Sequence, residues 1–123
     1  MTALIVEDEA VSVMLFRRFL DRLGHTVVAA TAKGEEVQAL AEAHNPELIL
    51  MDISLAGEMN GIEAATKLRE ISDAPVLYLT GYSADEIRTR ALQVSNSFFL
   101  VKPVVETQLS AAIEALPPSM REA

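Results

Sequence analysis

The chain has 123 residues, half of them hydrophobic and 23% charged, with a formal net charge of −8 and no cysteine. That size fits one ordinary domain with a real core, and the composition excludes disorder. The missing cysteine removes disulfides, thiolate metal sites and cysteine nucleophiles, and the acidic balance opposes direct binding to nucleic-acid backbones.

In chain order, Ala3 to Val6 is a short apolar run that ends in Glu7-Asp8-Glu9, and it reads as the first strand. It lacks the basic start and long apolar stretch of a secretory signal, and no run approaches the roughly 20 residues that span a bilayer, so the expected location is cytoplasmic. From Ala10 to Leu23, Val13, Phe16, Leu20 and Leu23 recur at helical spacing, and Gly24 supplies the C-cap. His25 to Ala30 is β-branched and reads as a second strand, and Thr31 is placed to cap a helix from Ala32 to about His44, broken by Asn45-Pro46. His25 and His44 sit at element junctions without acidic or metal-ligand partners nearby in sequence, and are read as surface histidines.

Glu47-Leu48-Ile49-Leu50-Met51-Asp52-Ile53-Ser54 is a nearly continuous apolar run that delivers Asp52 at its end, the pattern of a fully buried parallel strand. A loop from Ser54 to Asn60 precedes a helix over Ile62 to Ile71, and Val76 to Leu79 forms the fourth strand, ending in Thr80-Gly81-Tyr82. A polar helix opens at Ser83 or Ala84 and runs to about Gln93. With little apolar surface, it should be the least firmly packed. Ser97 to Val101 is the fifth strand, Lys102-Pro103 follows, and Val104 to Leu116 forms the last helix with Val105, Leu109, Ile113 and Leu116 along one face. Pro117-Pro118 stops it, leaving 117–123 as a frayed tail after a domain spanning 1–116.

Five strands alternating with five helices imply a doubly wound parallel sheet of the flavodoxin-like kind, for which strand order 2-1-3-4-5 is the matching choice. In that order Glu7, Asp8, Asp52, Thr80 and Lys102 all leave strands at one edge, where ligands of open α/β sheets collect. Each alone has a plain structural role as a cap, a helix start or a solvated charge. Together they make a chemical site. Crowded carboxylates resist ionisation unless a cation neutralises them, and an oxygen-only set suits Mg²⁺. Metal, ammonium and hydroxyl hold phosphoryl oxygens in transfer, so Asp52 can act as nucleophile and form an aspartyl phosphate, while Gly81 leaves space for a donor and later a water.

Leu4-Ile5-Val6-Glu7-Asp8-Glu9, Leu48-Ile49-Leu50-Met51-Asp52, Leu79-Thr80-Gly81 and Val101-Lys102-Pro103 together make the chain resemble a response-regulator receiver domain of two-component signalling, from Leu4 to Leu116. The resemblance implies that Asp52 accepts phosphate from a histidine kinase or histidine phosphotransfer protein. It implies that Glu7, Asp8, Asp52 and the Ser54 carbonyl serve Mg²⁺, Asp8 directly and Glu7 more through water. Lys102 would pair with the phosphoryl oxygens, Thr80 would be drawn toward them, and the Lys102-Pro103 bond resembles the family's cis peptide. Phe99 matches the family's switch aromatic, and Thr80-Gly81-Tyr82-Ser83 resembles a subset of single-domain receivers in which the aromatic after the threonine, here Tyr82, takes part in switching. Such a protein is no ordinary enzyme, since it assists only its own phosphorylation and dephosphorylation.

The chain departs from many receivers after Asp52, where Leu55-Ala56-Gly57-Glu58-Met59-Asn60 replaces a methionine-proline turn with a longer, more flexible loop. Ser54 and Tyr82 flank the path of attacking water and should influence how long the phosphate lasts. With no output domain recognisable after Leu116, the expected output is partner binding, through the surface from Ala84 to Leu116, or service as a phosphate relay or sink. A fragment of a larger regulator would look identical. The rivals are a small Mg²⁺-dependent phosphohydrolase and a flavodoxin-like cofactor binder. The first lacks an evident substrate pocket, and the second meets negative charge at Glu7-Asp8-Glu9 where a phosphate wants glycine or hydroxyls.

Overall fold

Three strands of this protein are buried on both faces, which is why they read as continuous apolar runs rather than alternating ones. The computed structural model describes residues 1–55, 57–81 and 85–116. In chain order the elements are β1 (Thr2–Val6), α1 (Ala10–Arg22), β2 (Thr26–Thr31), a 3-10 turn (Gly34–Glu36), α2 (Val37–His44), β3 (Leu48–Met51), α3 (Gly61–Leu68), β4 (Val76–Thr80), α4 (Asp85–Leu92), β5 (Ser97–Val101) and α5 (Glu106–Glu114). The strands form one parallel sheet in the order β2-β1-β3-β4-β5, as expected for the flavodoxin-like class.

The pleat divides the core into two layers. Leu4, Val6, Ile49, Met51, Val76 and Tyr78 pack on one side with Val37, Ile62, Leu68 and Ala91 of α2, α3 and α4. Ala3, Ile5, Leu48, Leu50, Leu77 and Leu79 pack on the other with Phe16 and Leu20 of α1 and Leu109 and Ile113 of α5. Among the described residues no helix is long and apolar enough to cross a membrane.

Several boundaries differ from the sequence reading. Thr31 ends β2 rather than capping a helix, and its hydroxyl accepts the Lys33 N–H and donates to Glu36. The regular helix starts only at Val37, because Gly34 is pressed against α3 and the chain before it: a Cβ there would lie 2.9 Å from the Met59 carbonyl oxygen and 3.2 Å from the Ala64 methyl. α3 stops at Leu68 and its expected inner residue Ile71 is 41% exposed, since the chain turns there before Pro75. Val105 does not join the inner face of α5: it precedes the helix in extended conformation and is exposed, while Val104 is buried instead. The predicted start of α4 at 83 or 84, the tail at 117–123 and Tyr82 lie outside the described residues.

Candidate functional site at the carboxyl edge of the sheet

Asp52 leaves β3 with its N–H still donating to the Val6 carbonyl at 2.8 Å, which holds it beside the end of β1. Behind it the Gly61 N–H donates to the Ile53 carbonyl at 2.8 Å, and Gly61 lies so close to the Asp52 carbonyl that any Cβ would overlap it. α3 is started there by a capping box, in which the Asn60 side chain accepts the Glu63 N–H and the Glu63 carboxylate accepts the Asn60 N–H. Asp52 is thus held by backbone on both sides.

Asp8, Glu9, Asp52, Ser54, Thr80, Gly81 and Lys102 line one open cleft of about 430 Å³. Glu7 lies beneath it, 3% exposed, with Asp52 at 7% and Thr80 fully buried. One oxygen from each of Glu7, Asp8 and Asp52 falls within 4.8 Å of the others. The Lys102 ammonium donates to Glu7, reaches Glu9 at 3.3 Å and reaches Asp52 Oδ2 at 3.4 Å. Lys102 follows β5 through its N–H, which donates to the Thr80 carbonyl at 2.7 Å, and its bond to Pro103 is cis, as the resemblance implies.

The electrostatics follow from crowding. Burial pushes the Glu7 carboxyl up to about 7, Asp52 beside it adds to the rise, and Lys102 opposes it. For Lys102 burial alone would lower the pKa, but the hydrogen bond to Glu7 and the charges of Asp52 and Glu7 more than offset it, so the ammonium is held above its usual range. Burial thus keeps the proton on Glu7, and the neighbouring carboxylates keep it on Lys102. Such a cluster of carboxylates, with hard donors only, fits a divalent oxygen-loving cation.

The structure therefore brings together Glu7, Asp8, Asp52, Ser54, Thr80 and Lys102. Phe99 lies one layer away, half-buried against the α4 side of the core, 6.3 Å from the Tyr78 ring and with the Arg88 guanidinium 5.7 Å over its face. Glu9 is the member the sequence reading left unassigned, although its place directly after Asp8 was the available signal.

Fold and site define a class: a doubly wound α/β domain with a cation-seeking carboxylate cluster and a lysine at its switch-point edge. Residues 3–114 match the response regulator receiver domain, and the chain belongs to that family. It is 35% identical over 112 residues to the transcriptional regulatory protein YvrH of Bacillus subtilis, covering 91% of this chain and 47% of that protein. It is 34% identical over 119 residues to the transcriptional regulatory protein PdtaR of Mycobacterium tuberculosis, covering 97% of this chain and 58% of that protein. Among solved structures, the signal receiver domain of a modulated diguanylate cyclase from Desulfovibrio desulfuricans superposes with a TM-score of 0.87 at 30% identity, over 98% of this chain and 96% of that one. The chain spans about half the length of the curated relatives it matches. Receiver domains accept a phosphoryl group on an aspartate with Mg²⁺, exchange it with histidine kinases or phosphotransfer proteins, and act on downstream partners. Receiver domains are as a family signalling phosphoacceptors rather than classical enzymes, and the phosphohydrolase and cofactor-binding readings are not favoured.

Proposed function

We propose that Asp52 accepts a phosphoryl group from a phosphohistidine donor and that the chain assists this transfer and its reversal by water. The observation that supports this most is the joint placement of Asp52 beside Glu7 and Asp8 and 3.4 Å from the Lys102 ammonium, on the floor of an open cleft. Glu7, Asp8 and Asp52, with the Ser54 carbonyl, would hold Mg²⁺, with Asp8 as the more direct ligand because it is exposed at the cleft while Glu7 lies beneath. Bound there, the ion supplies positive charge to the carboxylates and to the phosphoryl oxygens. An Asp52 oxygen forms the new P–O bond as the donor's P–N bond breaks, and the departing imidazole nitrogen keeps the electron pair. Lys102 then turns from its carboxylate partners to the phosphoryl oxygens, Thr80 donates its hydroxyl to them, and Gly81 leaves the approach open.

Readout would pass through Thr80 to Phe99, which share one face of adjacent strands, and so to α4, β5 and α5. Leu92, Val101 and Val105 expose 42%, 41% and 54% of their surface there, as a partner-binding face requires. The donor would approach over α1, which rises from the cleft rim at Glu9 and exposes Val11 at 78% and Met14 at 70%.

The test is incubation with Mg²⁺ and acetyl phosphate or phosphoramidate, followed by intact-protein mass measurement. Wild type is expected to gain one base-labile phosphoryl group and Asp52→Asn none. Equal gain by the variant, or none by wild type, would sink the proposal.

A further inference from the structure

The connection between β2 and α2 leans on the segment that follows the phosphoacceptor, and three contacts make the junction. The Glu35 carboxylate accepts the Met59 backbone N–H at 2.8 Å. Gly34 sits against the Met59 carbonyl, where a Cβ would come within 2.9 Å of the oxygen. Gly57, at φ +89°, sits against Glu35 itself, where a Cβ would come within 2.6 Å of the carboxylate. Glycine on each side of the contact allows an approach that a side chain at either position would block.

The same connection is tied to β1. The Glu7 N–H donates to the Thr31 carbonyl at 2.9 Å, and the Thr31 hydroxyl donates to Glu36. Outside the sheet, therefore, a belt runs from the strand end that carries Glu7, through the 3-10 turn, to Met59, and two residues further on the Gly61 N–H holds the carbonyl of Ile53, between Asp52 and Ser54. Glu35 is not among the three carboxylates of the cluster, and its contact with the segment is a hydrogen bond to a backbone amide.

We infer that Glu35 is a positioning residue of the Mg²⁺ site: by holding the Met59 amide it steadies the start of α3, whose Gly61 N–H fixes the Ile53 carbonyl and with it the turn that carries Asp52 and Ser54. This rests on the reading of the cluster as a Mg²⁺ site. In this chain Glu35 takes over the steadying work that a stiff turn after the aspartate would otherwise do.

The experiment is calorimetric titration of Mg²⁺ into wild type, Glu35→Ala, Glu35→Asp and Glu35→Gln, with amide exchange at Met59 followed in chelator. Ala removes the acceptor, Asp keeps the charge but withdraws its reach, and Gln keeps an acceptor oxygen without charge. Ala and Asp are expected to bind Mg²⁺ about five- to tenfold more weakly, the low end for partners that act behind metal ligands, and to exchange the Met59 amide faster. Gln is expected to stay within about twofold of wild type in affinity, because a neutral acceptor still makes the bond. If wild type binds Mg²⁺ and Ala binds it equally, the positioning role alone is overturned. If Gln loses as much as Ala while Asp does not, the effect is one of distant charge and the clamp is overturned. If wild type binds no Mg²⁺, the reading of the cluster fails and takes the positioning role with it.

Discussion

Glu7 is a carboxylate almost without water, 3% exposed, and burial, with Asp52 beside it, pushes its pKa up to about 7. The sign of the consequence follows from linkage. Below the ordinary glutamate value of 4.5 the group is protonated in folded and unfolded chains alike, so its contribution to stability is fully present. As pH rises the unfolded chain releases its proton first, and the contribution is lost as pH passes through the folded value of about 7. In chelator, the urea unfolding free energy of wild type minus that of Glu7→Gln should therefore fall between about pH 4 and about pH 8 and then level. A difference that rises with pH would mean that Lys102, rather than burial and Asp52, dominates the environment of Glu7.

Among the elements, α4 is the one least committed to the core. Of its described residues only Ala91 is buried, with Ile87 packing partly, whereas α3 buries five. Its amides should exchange faster than those of α3 and of the interior strands, which sets α4 at the low-stability end from which switching elements are drawn. Hydrogen exchange with Mg²⁺ and beryllofluoride, a stand-in for the phosphoryl group, should change protection in α4 and β5 of wild type and leave Phe99→Ala largely unchanged. The same change in both would remove Phe99 from the path. This looseness was readable in the polar sequence of the helix. So were the buried strands, whose apolar runs need no partner to be seen, and the site residues that stand directly after them. What escaped was what depends on contacts distant in sequence. Thr31 looked like a cap because its pairing with Val6 of β1 is invisible from local pattern, and Val105 looked internal because helical spacing does not show that α5 begins only at Glu106. The segment after Asp52 read as long and loose from its composition, and local pattern did not show that Glu35, 24 positions before Met59, accepts the Met59 N–H.

At the scale of the whole molecule, Lys102 joins the first strand to the last. β1 and β5 are separated in the sheet by β3 and β4, and Lys102, after β5, reaches across to Glu7 after β1 and to Asp52 after β3. Without an ion it is the cation shown among the carboxylates, in a chain already carrying a net charge of −8. Removing one partner of a buried pair typically costs about 3–5 kcal/mol, because the other charge is left uncompensated. Here Glu7 can take up a proton instead, so Lys102→Ala should cost less, about 2 kcal/mol in chelator near neutral pH. An ion held by Glu7, Asp8 and Asp52 would bring its own charge to the same oxygens, so losing Lys102 should tighten its binding and return most of that loss at saturation. At about 100 times its dissociation constant a ligand adds roughly 2.7 kcal/mol to the folded state of wild type as well, so the deficit narrows only to the extent that Lys102→Ala binds the ion more tightly. The measurement is urea unfolding of wild type and Lys102→Ala, each in chelator and in Mg²⁺ at matched ionic strength, since salt alone screens exposed charge. Rescue by Mg²⁺ means that lysine and ion neutralise one cluster in turn, which is what frees Lys102 for a phosphoryl group. An equal deficit in both conditions would mean that Lys102 acts through packing alone and that the edge does not work by exchange of charges.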